Sequence, residues 1–113
     1  MRDFQEVRTI VGDLCKGLSA LFPHERIETI LYGSYARGDA DSGSDIDVLI
    51  LVDASRQAIM DKSWQIGNLA AELLLNYGIV VAPIVENRDF FQSNTEILPF
   101  FRNINQEGVR LSA

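Results

Sequence analysis

The sequence has one cysteine, Cys15, so no internal disulfide can form and the fold must rest on its core. A lone thiol is in keeping with a reducing compartment. A single histidine, His24, excludes a histidine-built metal cluster and leaves only one weak option for a Ser-His-Asp set. Its place beside Pro23, in a connector, reads as surface. No apolar run approaches the ~20 residues of a membrane-spanning helix. The opening residues Met1-Arg2-Asp3-Phe4-Gln5-Glu6 lack the apolar stretch of a secretion signal, so a soluble cytoplasmic protein is the expectation. Positive charge is short as well, with 10 Lys and Arg against 16 Asp and Glu and a net charge of -6. That balance argues against broad, sequence-independent nucleic-acid binding, which needs a basic face to neutralise phosphates. An acidic chain can still take a nucleotide if metal ions stand between its carboxylates and the phosphates.

What is present fits one domain, residues 1–113. The length leaves little room for two, and the 47% hydrophobic content supports a modest core. Phe4, Val7, Val11, Leu14, Leu18 and Leu21 recur at helical spacing, with Asp3 as N-cap and Glu6 three residues on. Ile27 to Tyr32 reads as a short strand closing at Gly33, followed by a turn-rich segment with one helical turn around Tyr35–Arg37. Ile46 to Val52 is the clearest strand, apolar enough for burial on both faces except at Asp47. Ser55 to Tyr77 reads as a helical region ending at Gly78, with Ile66, Leu69, Ala70, Leu73, Leu74 and Tyr77 on one face. Ile79 to Val85 reads as a third strand, where Pro83 points to an edge or an irregularity. One or two short helices follow in 88–104, broken at Pro99, and Val109 to Leu111 can close as a last strand. Strands separated by helices give an α+β (α/β-like) class, a small mixed sheet flanked by helices. The loop between the first two strands could serve an antiparallel pair or a crossover.

The chemistry concentrates in residues 33–47. Gly33 ends a strand without a Cβ, so backbone can approach a ligand closely. Ser34 adds a hydroxyl at the start of a helical turn, and such N–H groups suit phosphate oxygens. Arg37 places a fixed positive charge within one turn. Asp45 and Asp47, one residue apart at a strand start, point to the same side. Two carboxylates this close repel unless a cation lies between them, and a hard divalent ion such as Mg²⁺ answers that chemistry. Asp39 and Asp41 are well explained as solvated turn residues. Asp47 is not, because an unpaired charge inside an apolar strand is costly.

Gly33-Ser34, Arg37-Gly38 and Ser44-Asp45-Ile46-Asp47 together resemble the G-S-x-x-R-G…S-D-x-D signature of the DNA polymerase β-like nucleotidyltransferase superfamily. Within it the chain looks like a minimal nucleotidyltransferase (MNT) domain protein, of the kind paired with HEPN-domain proteins. The resemblance implies the nucleotidyltransferase fold and transfer of a nucleoside monophosphate, AMP from ATP, to a hydroxyl acceptor with pyrophosphate released. It assigns Gly33 and Ser34 to the nucleotide phosphates and Asp45 and Asp47 to Mg²⁺ and catalysis. Arg37 joins the nucleotide-binding set, touching phosphate or locking the loop through an ion pair. Ser44 belongs to the same set, capping or shaping the turn ahead of the strand. Active members bring a third carboxylate from a later strand. Here Ile79–Val85 has none, and Glu86 at its end is a better substitute than Asp89.

A chain this small has little surface for its own acceptor site, so the acceptor is expected from another chain, such as a tyrosine of a HEPN-type partner. A homo-oligomer stands as another assembly. The rival reading is an antitoxin-like module, catalytically weak or inactive, that neutralises a HEPN partner by contact. A third is a structural subunit with no ligand. Among the other candidates, Cys15 and Trp64 read as packing residues, Lys62 as a solvated helix residue, and Tyr35 as either a ring-stacking or a packing residue. Phe90, Phe91, Phe100 and Phe101 exceed what one small core needs and suggest a contact patch.

Overall fold

The computed structural model describes residues 2–111; residue 1 and residues 112–113 of the expected domain lie outside that range. Helix α1 (Phe4–Leu21) starts where the Asp3 carboxylate accepts the Glu6 N–H at 2.8 Å. Glu6 does not return the contact to the cap but pairs with Arg2 at 3.3 Å. Val7, Ile10, Val11, Leu14 and Leu18 form the buried stripe of this helix, while Phe4, in its first turn, stays exposed.

Four strands make one mixed sheet in the order β3-β2-β1-β4. Strand β1 (Glu28–Tyr32) runs antiparallel to β2 (Ile46–Val52), so the long loop between them joins an antiparallel pair. One helical turn, α2 (Ser34–Arg37), lies inside that loop. The region expected as one helix over Ser55–Tyr77 is two, α3 (Arg56–Asp61) and α4 (Ser63–Tyr77). The Ser55 hydroxyl caps α3, and the Lys62 N–H bonds back to the Ile59 carbonyl and closes it. Strand β3 (Val81–Asn87) starts two residues later than expected, because Ile79 and Val80 turn the chain from the left-handed Gly78 cap into the sheet. It pairs parallel to β2 as an edge strand, as Pro83 indicated. Helices α5 (Arg88–Asn94) and α6 (Pro99–Glu107) follow, and β4 (Val109–Arg110) returns antiparallel to β1.

Alternation along β2 divides the core between two faces. Ile46, Val48, Ile50 and Val52 meet α1 and α4 on one face. Leu49 and Leu51, with Ile30, meet Phe91, Phe101 and Ile104 on the other. Asp47 belongs to this second face, below α6. All the described apolar residues of β2 are fully buried, as its run of branched side chains predicts.

A charged residue that sequence reasoning passed over ties the far end of the sheet. Arg88 opens α5 at 6% exposure. Its guanidinium bonds Glu28 and donates to Asp53 at 3.0 Å and to the carbonyls of Arg26 and Leu51 at 3.1 and 3.3 Å. Arg110 pairs with the same Glu28. Removing one member of a buried pair leaves its partner uncompensated, at roughly 3–5 kcal/mol. Arg88→Met is therefore expected to lower the stability by about 3 kcal/mol, seen as a lower urea midpoint at an unchanged m-value.

Candidate functional site

Strand β1 ends at Tyr32, and Gly33 turns the chain into α2 with φ 74 and ψ -153, a region essentially reserved for glycine. A Cβ at this position would stand 2.4 Å from Asp47 Oδ2. Conformation and space thus make the same demand, and together they bring backbone against the carboxylate. In the single turn of α2, Arg37 N–H donates to the Gly33 carbonyl and Gly38 N–H to that of Ser34, both at 3.0 Å. The first N–H groups of such a turn have no acceptor within it.

Ladder register puts Tyr32 opposite Asp47, on the same face of the sheet. Among the described residues the Asp47 carboxylate makes no hydrogen bond and no ion pair. Burial pushes its pKa up, the nearby Asp45 charge pushes it further, and Arg37 opposes both. Asp45 itself is exposed, one residue ahead of β2. Tyr32 is pushed up to about 12 by burial and by Asp47, so its phenol is a neutral hydroxyl at working pH.

A cleft of about 370 Å³ gathers Tyr32, Gly33, Ser34, Arg37 and Asp47 on one side. Its other wall is α6, through Phe100, Asn103 and Glu107. Glu107 Oε1 accepts from the Gly33 N–H and from Arg37 Nη1, each at 3.4 Å. Arg37 also pairs with Asp39 at 3.3 Å, so it ties the first part of the loop to itself and to α6. Ser44 lies outside the cleft and shapes the turn before β2. Its Oγ accepts the Asp41 N–H at 2.9 Å, and its N–H donates to the Asp41 carbonyl at 3.1 Å. Tyr35 packs against the α1 core, and its hydroxyl accepts the Arg2 N–H at 3.3 Å.

Glu86 is not brought to the two aspartates. The parallel register sets Ala82 beside Asp47, and Glu86 beside Leu51. Four strand residues separate these positions, or about 13 Å. Glu86 is buried and bonded to Arg56 at 3.3 and 3.4 Å and to the Asn87 N–H at 2.8 Å. Arg56 in turn covers the Phe90 ring at 3.8 Å, so the pair anchors α3 to the sheet. Asp89, in the first turn of α5, follows β3 at the same end of the sheet. A groove of about 560 Å³ between α3, α4 and β3, larger than this cleft, is lined by Glu86 and not by Asp47.

Among the described residues no three Asp, Glu, His or Cys side chains gather in a metal-binding group. Asp45 and Asp47 offer hard oxygen donors, and the unpartnered Asp47 carboxylate fits a divalent cation whose other positions are filled by phosphate and water oxygens. The other candidates have structural places. Burial raises the Cys15 thiol pKa, which disfavours its thiolate. Trp64, expected to pack in the core or at an interface, is instead 77% exposed and takes no part in the core. The α6 wall was missed from sequence, although 100, 103 and 107 share one helical face behind the Pro99 start.

The family described as "Nucleotidyltransferase domain" matches residues 11–106. Two proteins of Methanocaldococcus jannaschii, each named "Putative protein adenylyltransferase", are similar to the chain. One is 42% identical over 79 residues, covering 70% of this chain and 71% of the relative. The other is 36% identical over 80 residues, covering 71% and 79%. A solved structure described as "Crystal structure of the toxin-antitoxin with AMP-PNP" superposes with a TM-score of 0.52 at 20% identity, covering 90% of this chain and 72% of that one. At that identity the likeness concerns the fold.

Two outcomes follow from this geometry. Gly33→Ala is expected to cost about 1–3 kcal/mol in urea unfolding, since the residue must leave a glycine-only conformation and displace Asp47. Asp47 holds its proton more tightly folded than unfolded, so ionising it costs stability as pH rises above its ordinary 3.8. In EDTA at pH 7, Asp47→Asn should therefore melt higher than the native chain. The gap should close as the pH falls below 3.8, where the native carboxyl is protonated in both states.

Proposed function

The chain belongs to the nucleotidyltransferase domain family, and on that premise we propose that it transfers AMP from ATP, with Mg²⁺, to a hydroxyl of a partner protein. The carrying observation is the unpartnered Asp47 carboxylate held against Gly33, where the chain turns into α2. Gly33 and Ser34 bind the phosphates through backbone N–H groups and a hydroxyl, the phosphate taking the Gly33 N–H over from Glu107. Arg37 fixes the loop and supplies positive charge beside them. Asp45 and Asp47 hold the Mg²⁺, which supplies charge neutralisation on the triphosphate and polarises the phosphorus under attack. The acceptor oxygen forms a bond to the α-phosphorus in line with the bond to the β-phosphate oxygen. That bond breaks, pyrophosphate leaves with the electron pair, and the proton of the acceptor hydroxyl passes to water.

Several features support a protein acceptor. The M. jannaschii relatives carry protein adenylyltransferase names, and the structural neighbour is a toxin-antitoxin assembly with a nucleotide analogue. The cleft is of a size for a nucleotide and little else. A HEPN-type toxin is the partner in this reading, with a tyrosine as its acceptor.

A second reading has its own observation. Ala82, and not an acid, faces Asp47 across the β2–β3 ladder. A chain lacking that carboxylate could neutralise a partner by contact alone. One experiment separates the two. The protein is incubated with ATP labelled at the α-phosphate, Mg²⁺ and the product of the adjacent gene. Label should appear on the partner and fall to background with Asp47→Asn. No transfer, together with full neutralisation of the partner by the Asp45→Asn, Asp47→Asn double variant, would establish the contact-only reading.

A further inference from the structure

We propose that Phe100 and Asn103 of α6 form the nucleobase subsite of the cleft and select adenine, an inference that rests on the nucleotide reading above. Helix α6 spends its other face on the core: Phe101 and Ile104 are buried against Leu49, Leu51 and Phe91. Phe100 is 46% exposed and faces the cleft. Its ring is held at two points, edge-on to Tyr32 at 5.7 Å and 86°, and tilted against Phe101 at 6.2 Å. An aromatic ring fixed this way, with nearly half its surface open, is a stacking platform for a base.

Distance along the helix matches a nucleotide. Phe100 and Glu107 are seven residues apart, about 10 Å at the α-helical rise. Glu107 marks the phosphate end, because it contacts the Gly33 N–H and Arg37. Phe100 therefore stands about the length of an extended nucleotide from the groups that take its phosphates, on the same wall.

Stacking tolerates every base, so discrimination needs a hydrogen-bonding side chain. Asn103 lies one turn from Phe100 on the cleft face, and among the described residues its side chain makes no hydrogen bond. A carboxamide offers a donor and an acceptor side by side. Adenine presents the complementary amino donor and ring-nitrogen acceptor, whereas guanine at the same edge presents two acceptors and would leave the Asn103 carbonyl unpaired.

The test is calorimetric titration of the full chain in Mg²⁺ with ATP, GTP, CTP, UTP and inorganic tripolyphosphate. ATP should bind about tenfold or more tighter than GTP, and the smaller pyrimidine rings of CTP and UTP should stack less well on Phe100. Phe100→Leu keeps an apolar side chain but no ring, and should weaken ATP about tenfold while leaving tripolyphosphate unchanged. Asn103→Ala should bring ATP and GTP to nearly equal affinity. Equal binding of ATP and tripolyphosphate by the native chain, or variants that leave the nucleotide ranking untouched, would overturn the subsite. Failure of tripolyphosphate and all four nucleotides to bind would instead remove the nucleotide reading of the cleft, and this inference with it.

Discussion

The Asp47 carboxylate lies so close to Gly33 that a Cβ there would clash with it, and the rest of the site depends on that contact. It exists because β1 and β2 pair antiparallel with Tyr32 opposite Asp47. The residue after Tyr32 must then leave the sheet beside a carboxylate, and a residue without a side chain is what allows it. A shift of one residue in this register would send Asp47 to the α1 face, since strand side chains alternate. The buried run Ile46, Val48, Ile50 and Val52 prevents that slip, because it would expose them to the wrong layer. The hydrophobic core therefore holds the site in register.

The two ends of the sheet handle charge in opposite ways. At the end where β2 finishes, Arg88, Glu28, Asp53 and Arg110 compensate one another, and Arg56 covers Glu86. At the end where β2 begins, Asp47 is half-buried without a partner and Asp45 adds to its cost. Groups arranged for stability are satisfied, while groups arranged for a ligand are left wanting one. The fold supplies from its far end the stability that the near end gives up.

Much of this was legible in the sequence, and for physical reasons. The β2 strand, most of the α1 stripe and the strand–turn–strand layout of residues 27–52 are each fixed by local pattern, and the structure has them there. Pro83 pointed to an edge or an irregularity because its nitrogen cannot donate to a ladder, and β3 is an edge. What was hidden depends on register and on distant packing. Glu86 looked like a third acid because the sequence shows that it follows a strand, but not which β2 residue lies beside it. The parallel pairing puts it next to Leu51. Arg88 gave no sign of burial, since its four acceptors come from two segments distant in sequence, 26–28 and 51–53. The α6 wall was likewise invisible until the sheet order put β1 next to β4 and drew the helix over Tyr32.

Pro83 has one more consequence. The Ile46 N–H donates to the Val80 carbonyl, so even-numbered residues of β3 turn their backbone toward β2. Pro83 therefore turns outward a nitrogen that carries no hydrogen. The opposite border, β4, is two residues long among the described residues. Neither margin offers a continuous row of free amides, so the sheet is poorly suited to being lengthened by a strand from another molecule. Association with any second chain must then be written in side chains and surface shape, and the same trait guards an exposed β-edge against uncontrolled self-assembly.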